Sequence, residues 1–268
     1  MPPATSRSPW QRRIQRAQEL SSQYPAASEI LAFYIYIAGF QENLQGGLRQ
    51  VLDARLSSGY CELGARELSE LSSRFGSFLS MTEKHAPAPL AELTFQLRAY
   101  GTAFWSELLR SAWSISSPSD PQGLFAQIFL QPYAEWLRSR ASLQPFPHAY
   151  AICPFCRRKP GFGVLRSMGD GAARSLVCSF CMAEWEFRRI VCPGCGEEND
   201  KRLAVFSADE FPYIRVEGCD SCKTYLKTID LTKDGYAEPV VDELASAPLD
   251  LWAREHGYAK LRSNLLGL

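Results

Sequence analysis

The sequence predicts an α+β protein in which an α-helical N-terminal domain is followed by a C-terminal half of short strands. Between residues 10 and 142, apolar residues recur at the three-and-four spacing of packed helices. Beyond residue 150, apolar residues alternate over short segments bounded by Gly, Asp or Cys. Eight of the nine cysteines lie in this second half, between Cys153 and Cys222. The change of period therefore coincides with the start of a cysteine-rich region.

The N-terminal part is predicted to contain a tail and a helical domain. Residues 1–9 are rich in Pro and Ser, which is typical of a disordered tail. The helical domain, residues 10–148, is expected to hold five or six helices. A first helix is predicted over 10–24, and Ser28 is the expected N-cap of a long second helix. Further apolar stripes predict helices over about 62–84, 89–114 and 121–140.

Nothing in the helical domain has the spacing of a catalytic site. Its tryptophans lie at helical spacing, which favours the core over a ligand groove; they are Trp105, Trp113 and Trp136. Pro145 and Pro147 break any helix and mark the domain boundary.

The eight cysteines form four C-x-x-C pairs: CPFC (153–156), CSFC (178–181), CPGC (192–195) and CDSC (219–222). Two intervening residues let one tight turn aim both sulfurs at a common point, so each pair supplies half of a tetrahedral thiolate site. The first and second pairs are separated by 21 residues and the third and fourth by 23, which are lengths that suit a hairpin, whereas ten residues separate the second and third pairs. We predict two metal sites by sequential pairing, with an interleaved arrangement as the alternative. The ligands are Cys153, Cys156, Cys178 and Cys181, and then Cys192, Cys195, Cys219 and Cys222.

The residue pattern favours a metal over other uses of cysteine but leaves the ion open. Disulfide frameworks are typical of small secreted chains, and iron–sulfur clusters use runs such as C-x2-C-x2-C. The third pair with Gly196 resembles a rubredoxin knuckle, while other residues take the Gly place after the other pairs: Arg157, Met182 and Lys223. Zinc ribbons use nearly the same knuckle, so iron and zinc both fit. Four thiolates close the coordination sphere, which argues against an enzyme.

Composition limits the partners. The formal net charge is zero with cysteines counted as neutral, and two loaded divalent sites would each add about −2. This does not support binding to nucleic acid or anionic lipid. No apolar run reaches the roughly 18 residues that span a bilayer, so no membrane insertion is expected. Reduced thiols and the absence of a signal peptide predict a cytoplasmic protein.

The second half is predicted to form two ribbon modules and a tail. The first rubredoxin-like or zinc-ribbon module spans residues 149–190, and the second spans 191–240. Such small ribbons bury little apolar surface, so the metal is expected to hold them folded. The tail, residues 241–268, is expected to pack back on the modules.

Two stretches carry a family resemblance: CSFCMAEWEFRRIVCPGCG (178–196) and the segment from CDSCKTYLKTIDL (219–231) through DELA (242–245) to HGY (256–258). They resemble the FdhE family of formate dehydrogenase accessory proteins, closely in the C-terminal half and more faintly in the helices. The resemblance implies a helical domain and two metal modules that bind iron, so iron is favoured and zinc is the alternative.

The resemblance also implies a function. Such proteins act in the cytoplasm on the molybdenum- or tungsten-containing catalytic subunit of respiratory formate dehydrogenase, and assist its maturation before export. An iron electron-transfer protein is the alternative, and a nucleic-acid-binding ribbon protein is a weaker one. Homodimer formation is left open. Candidate partner-binding residues are Glu184, Trp185, Arg188, Arg189, Lys223, Tyr225 and Lys227, although packing or solvated salt bridges would explain them equally well.

Overall fold

The computed structural model of the protein describes residues 7–52, 63–114, 120–141, 151–264 and 267. Within this part of the chain, six helices precede the strands and two short helices follow most of them. The α+β prediction is confirmed: helices come first, followed by a sheet region that carries two clusters of four cysteines. The predicted boundary at Pro145 and Pro147 lies outside the described residues.

The first two helices differ in how they start. Ser8 caps the first helix: its Oγ accepts the Gln11 backbone N–H at 3.1 Å, and the Gln11 side chain accepts the Ser8 N–H at 3.1 Å. The predicted cap at Ser28 is wrong, because this residue already lies within the helix and its hydroxyl donates to the Pro25 carbonyl. The N-terminal helices are α1 (Pro9–Gln23), α2 (Ser28–Val51), α3 (Ala65–His85), α4 (Ala88–Arg98), α5 (Thr102–Ser114) and α6 (Pro121–Arg140).

The segment predicted as one helix over 89–114 is two helices, α4 and α5. The chain turns between them at residues 99–101, where Gly101 favours a helix break. The indole N–H of Trp105 closes this corner by donating to the Leu97 carbonyl at 2.9 Å. The two-helix corner packs α4 and α5 back against the bundle.

Aromatic side chains fill the core of the bundle. The ring of Phe129 lies 5.0 Å from that of Phe75 and 5.4 Å from that of Phe78. Trp113 and Trp136 are buried, as the core interpretation predicted. No described helix combines the length and apolarity needed to cross a bilayer.

One sheet runs through both cysteine clusters. Its strands lie in the order β3-β2-β1-β6-β5-β4, and a short β7 also pairs with β6. Each half of the row follows the same plan, a hairpin and then a third strand, with a cysteine pair before the hairpin and another after it. The strands are β1 (Phe162–Met168), β2 (Gly171–Val177), β3 (Glu184–Glu186), β4 (Leu203–Ser207), β5 (Ile214–Cys219), β6 (Thr224–Asp230) and β7 (Ala259–Lys260).

The two halves of the sheet meet at a parallel seam between β1 and β6, where Gly163 pairs with Thr228. A Cβ added at Gly163 would lie only 2.4 Å from the Thr228 hydroxyl oxygen. Glycine is therefore needed for the two strands to approach. The predicted division into two modules stays a prediction, and the seam makes them neighbours in one sheet.

The C-terminal segment lies between the helices and the sheet. It forms α7 (Pro239–Ala245), α8 (Ala247–Glu255) and then β7. Asp242 on α7 is buried and accepts hydrogen bonds from the Arg16 guanidinium of α1 at 2.6 Å and from the Tyr213 hydroxyl at 2.8 Å. The segment thereby joins the first helix to the sheet.

Candidate metal centres

Each C-x-x-C pair folds into the same tight turn. The carbonyl of the first cysteine accepts the N–H four residues later, at Arg157 (3.0 Å), Met182 (3.1 Å), Gly196 (2.9 Å) and Lys223 (2.8 Å). In three turns, the N–H of the first cysteine also donates to the carbonyl five residues on, at Arg158 (2.7 Å), Ala183 (2.9 Å) and Glu197 (2.9 Å). In the fourth turn, Cys219 pairs with Thr224 in the ladder between β5 and β6. These bonds hold both sulfurs of a pair on one side of the turn.

The residue after each pair adopts a left-handed backbone. The φ angles are +64° at Arg157, +55° at Met182, +82° at Gly196 and +55° at Lys223. These are the positions where the sequence predicted the glycine place of a metal knuckle. The three non-glycine residues keep the knuckle geometry in spite of the steric cost of a Cβ in this region.

The first centre gathers the sulfurs of Cys153, Cys156, Cys178 and Cys181. The Sγ atoms of Cys153 and Cys181 are 3.5 Å apart, those of Cys156 and Cys178 are 3.4 Å apart, and those of Cys156 and Cys181 are 3.6 Å apart. All four sulfurs lie within 4.8 Å of one another. The first and second pairs thus meet, as sequential pairing requires.

The second centre gathers the sulfurs of Cys192, Cys195, Cys219 and Cys222. The Sγ atoms of Cys192 and Cys222 are 3.7 Å apart, and those of Cys195 and Cys219 are also 3.7 Å apart. The Gly194 N–H points at the Cys192 sulfur at 3.2 Å, and the Thr224 hydroxyl lies 3.0 Å from the Cys222 sulfur. Both contacts suit a thiolate, which accepts hydrogen bonds from N–H and O–H groups.

Both sulfur sets fit a tetrahedral metal ion. A metal–sulfur distance of about 2.3 Å places tetrahedral sulfurs about 3.8 Å apart, close to the spacings in both centres. A disulfide would bring two sulfurs to about 2.05 Å, and all eight cysteines are free thiols. The two clusters could therefore each hold one ion. That these eight residues do bind metal stays a prediction.

The two centres differ in their exposure. All four cysteines of the first centre are buried. In the second centre, Cys195 is exposed and Cys222 is partly exposed, while Cys192 and Cys219 are buried. Burial raises the pKa of the Cys192 thiol to about 12. Desolvation also acts to raise the pKa of Cys222, but hydrogen bonds with Thr224, Cys195 and Cys219 together outweigh it and lower this pKa to about 7. Cys222 thus offers a thiolate near neutral pH.

Helices α5 and α6 cover the first centre. The Phe180 ring, between Cys178 and Cys181 in sequence, meets Trp113 edge-on with centroids 5.6 Å apart. The Gln131 amide donates to the Ser179 carbonyl at 3.2 Å. Two buried arginines, Arg158 and Arg262, also lie against this knuckle. The first centre is therefore part of the contact between bundle and sheet.

The chemistry open to these centres is limited by their ligands. The groups that could hold a metal in the described residues consist of four cysteines each, with no histidine or carboxylate. His85 stacks on Tyr36 and His256 stacks on Trp252, with centroids 3.7 and 4.1 Å apart. A closed sphere of four thiolates suits a structural or one-electron site better than hydrolysis, which needs an open position for water.

The predicted partner-binding residues separate into exposed and buried groups. Arg188, Arg189 and Lys223 are exposed, and Glu184 is partly exposed. Arg188 pairs with Glu198 at 2.6 Å, Lys223 with Asp220 at 2.6 Å, and Arg166 with Glu184 at 2.9 Å. The buried members are Trp185, Tyr225 and Lys227.

The last two of these face the C-terminal helices instead of solvent. The Tyr225 hydroxyl donates to Asp250 at 2.7 Å, and the Lys227 ammonium donates to the Glu243 carbonyl at 2.5 Å. Strand alternation correctly places both on one face of β6, but α7 and α8 cover that face. A partner could reach them only after those helices had moved.

Sequence reasoning missed the arginines beside the first centre. Arg158 lies two residues after Cys156, so its proximity to the knuckle could have been noted. Arg262 is 81 residues beyond Cys181 in the numbering, and no local pattern connects the two. Only the fold of the C-terminal segment brings it to Ser179.

Together, the fold and the centres define a helical protein whose sheet carries two tetracysteine knuckle sites. Two family models match this region: "FdhE, central domain" over residues 152–189 and "FdhE, C-terminal domain" over residues 190–266. Their ranges each contain one complete cluster. Over these residues, 152–266, the chain belongs to the FdhE family.

Individual relatives extend the similarity to the helices. A "Protein FdhE homolog" from Aquifex aeolicus is 27% identical over 265 residues, covering 95% of this chain and 94% of the relative. One from Pseudomonas aeruginosa is 38% identical over 122 residues, covering 43% of this chain and 39% of the relative. The crystal structure of the FdhE protein from Pseudomonas aeruginosa superposes with a TM-score of 0.68 at 25% identity, covering 97% and 96% of the two chains.

Proposed function

We propose that the protein is a non-enzymatic accessory factor that binds the catalytic subunit of a respiratory formate dehydrogenase in the cytoplasm and supports its maturation before export. The observation that carries this proposal is membership of the FdhE family, with both tetracysteine clusters intact. The similarity to the Aquifex aeolicus relative and to the solved Pseudomonas aeruginosa structure covers nearly the whole chain. The helices and the two centres are therefore assigned to one common function.

The closed sulfur centres support a binding role over a catalytic one. Four thiolates leave a metal no position for water or substrate, so the centres suit shaping a recognition surface. We propose iron as the native ion in both, on the family resemblance, because tetrahedral thiolate sites accept iron and zinc alike.

The strands next to the centres offer an exposed polar surface for the partner. Arg188, Arg189 and Lys223 project from the knuckle region, and the Arg188 side chain is 52% exposed. Because the exposed Glu198 is the one side chain that pairs with Arg188 within the described residues, Arg188 can exchange this partner for a carboxylate on another protein at little cost. We propose these three residues, with Glu184, as part of the contact surface.

Arg188→Glu tests this surface. The purified catalytic subunit is titrated against tagged, metal-loaded protein, and the dissociation constant and metal content are measured. We expect about tenfold weaker binding, since a reversed charge at an interface loses an attraction and adds a repulsion. Metal content should not change, because Arg188 is not a ligand.

Arg110→Glu is the matched control. Arg110 on α5 is 55% exposed and, like Arg188, pairs with an exposed glutamate, Glu107. It should bind as wild type does. Equal affinities for the Arg188 and Arg110 variants would remove Arg188 from the contact surface, and a wild type that fails to bind the catalytic subunit would contradict the proposed function itself.

One observation favours a second function, one-electron transfer. Cys195 is exposed, so an iron ion in the second centre would be within reach of an electron donor or acceptor. This function requires a reversible one-electron couple in the iron-loaded protein. Voltammetry of anaerobically purified protein without such a couple would exclude it.

A further inference from the structure

The two centres have the same knuckles but opposite surroundings. A divalent ion with four thiolates carries a net charge of about −2. In the second centre, water reaches this charge through the exposed Cys195. In the first centre all four sulfurs are buried, and an uncompensated buried charge is strongly destabilising. The first centre therefore needs positive charge from the protein.

Arg158 provides one such charge. Its guanidinium carbon lies 4.0 Å above the Phe180 ring, within the CSFC turn. One guanidinium nitrogen donates to the carbonyls of Ala112 at 3.1 Å and Trp113 at 2.8 Å, at the C-terminal end of α5. The residue is 1% exposed. Stacking and these two bonds fix the charge beside the first centre.

Arg262 provides a second charge from a distant part of the chain. Its Nε donates to the Ser179 hydroxyl at 3.0 Å, and a terminal nitrogen donates to the Gln127 side chain at 2.9 Å. Ser179 and Phe180 are the two middle residues of the same turn. The two guanidinium groups thus contact neighbouring residues of one knuckle, and together their charge matches that of a divalent tetrathiolate site.

The second centre has a different electrostatic environment. Lys223, the residue after its last cysteine, is 59% exposed and pairs with the exposed Asp220. This pair adds no net charge. Arg202 donates to the Ser221 hydroxyl of the same knuckle at 3.2 Å, but this residue is exposed. Water therefore screens the charges around the second centre, and the same access admits a competing ligand.

We propose that the first centre is a structural site that holds its ion tightly because Arg158 and Arg262 neutralise its charge, whereas the second centre exchanges its ion readily with the solution. This inference rests on burial and charge alone, and it holds whichever partner the protein serves. In it, the arginines are positioning residues for the charge of the centre and never touch the metal.

Zinc release tests the division of roles. Protein loaded with two zinc ions is challenged with the chromogenic chelator 4-(2-pyridylazo)resorcinol, and the zinc released is followed with time. We expect two phases of one ion each, with rates that differ by about tenfold or more, because displacing a buried ion requires local opening. Cys195→Ser identifies the second centre and should remove the fast phase while leaving one slowly released ion. Release of both ions at one rate, or loss of the slow phase in Cys195→Ser, would overturn the proposal.

Substituting the arginines tests the charge. Arg262→Gln and Arg158→Gln should each speed the slow phase by about tenfold, since one lost charge interaction of about 1.4 kcal/mol is a factor of ten. In Arg262→Lys, which keeps the charge, the rate of the slow phase should stay within about threefold of the wild-type rate. The fast phase should not change in any of them.

Arg166→Gln serves as the control, because Arg166 lies on β1 and pairs with the partly exposed Glu184. Circular dichroism of each loaded variant checks that it is folded. If one of the two glutamine variants does not fold, the other still tests whether the guanidinium charge slows zinc release. A slow phase that responds equally to Arg262→Gln and Arg262→Lys, or to neither arginine, would refute the counter-ion role.

Discussion

At the scale of the residue, the knuckles are defined by one backbone angle. Four residues that follow the cysteine pairs share a left-handed conformation, yet only Gly196 is a glycine. A side chain with a Cβ costs about 1 kcal/mol or more in this region. Arg157, Met182 and Lys223 therefore carry strain that the hydrogen bonds of the turn offset.

Arg157→Gly should stabilise the loaded protein by about 1 kcal/mol, because glycine adopts the left-handed conformation without a Cβ clash. Arg157 is exposed and its guanidinium is not needed to close the turn. The measurement is urea unfolding of the zinc-loaded protein. The reciprocal change, Gly196→Ala, should destabilise the loaded protein by a similar amount. The added Cβ meets no atom within 4 Å, so the cost comes only from placing an alanine at a left-handed φ angle. A destabilised Arg157→Gly would show that the turn is not strained there.

The metal knuckles could be predicted residue by residue, while their surroundings could not. Spacing within and between the cysteine pairs is local, and it identified the eight sulfurs and their sequential grouping. The Ser28 cap failed because Ser and Thr also occur inside first turns, where their hydroxyls donate to backbone carbonyls. Arg262 reaches Ser179 only through tertiary packing, which no sequence period encodes.

At the scale of the element, the C-terminal helices are held to β6 by a buried set of four charges. The Lys227 ammonium lies 2.7 Å from Asp250 and 3.1 Å from Glu243. The Lys260 ammonium lies 2.5 Å from Glu243 and 3.0 Å from Asp250. Two positive and two negative groups alternate, so the set is neutral as a whole.

Glu243→Gln should destabilise the protein by about 3 kcal/mol, because two buried ammonium groups would then share a single carboxylate. Burial opposes ionisation of Glu243, but Lys227 and Lys260 outweigh it and lower its pKa to about 2. A carboxylate with a lowered pKa contributes its full stability above the unfolded value, and loses it only as the pH falls towards the folded value. The gap between wild type and variant should therefore be constant from about pH 5.5 to pH 8.

Urea unfolding at several pH values measures this gap. Glu107→Gln is the control, since its partner Arg110 is exposed and such pairs contribute less than about 1 kcal/mol. A gap that narrows between pH 8 and pH 5.5 would mean that Glu243 titrates near its ordinary range and is not held by the two lysines.

The sequence predicted where helices and strands lie better than it predicted which of their faces other elements cover. Period changes placed most helices and strands, and the split between α4 and α5 was missed because apolar spacing continues across Gly101. Alternation along β6 showed that Tyr225 and Lys227 share a face. Alternation could not show that this face is buried. A strand face with polar residues has the same sequence pattern whether it faces water or a helix that carries the opposite charges.

At the scale of the molecule, the two halves depend on metal to different degrees. The bundle has an aromatic core around Phe75, Phe78 and Phe129, and it needs no ion for that packing. The sheet buries an apolar core of its own around Val164, Val216 and Ile229, but it also contains the four knuckles, and a structural tetrathiolate site contributes roughly 10–16 kcal/mol to folding. The first centre also joins the halves through Trp113 and Phe180.

Removing the metal should therefore unfold the sheet and spare most of the bundle. We expect the strand contribution to circular dichroism to vanish in chelator and reducing agent while the helical signal largely persists. Limited proteolysis should then cut first within residues 151–264. Protection of that region in metal-free protein, verified by elemental analysis, would mean that the sheet folds on its own packing.

The repeated plan of the sheet has a consequence for how it ends. Each half of the sheet, β1–β3 or β4–β6, is one three-stranded unit. The first strand of one unit, β1, pairs in parallel with the third strand of the next, β6, so the two units have the same orientation along the sheet. A row of that kind has no closing contact. The length of such a sheet is set by its edge strands. One edge strand is β3, which has only three residues and is too short to pair with a further unit.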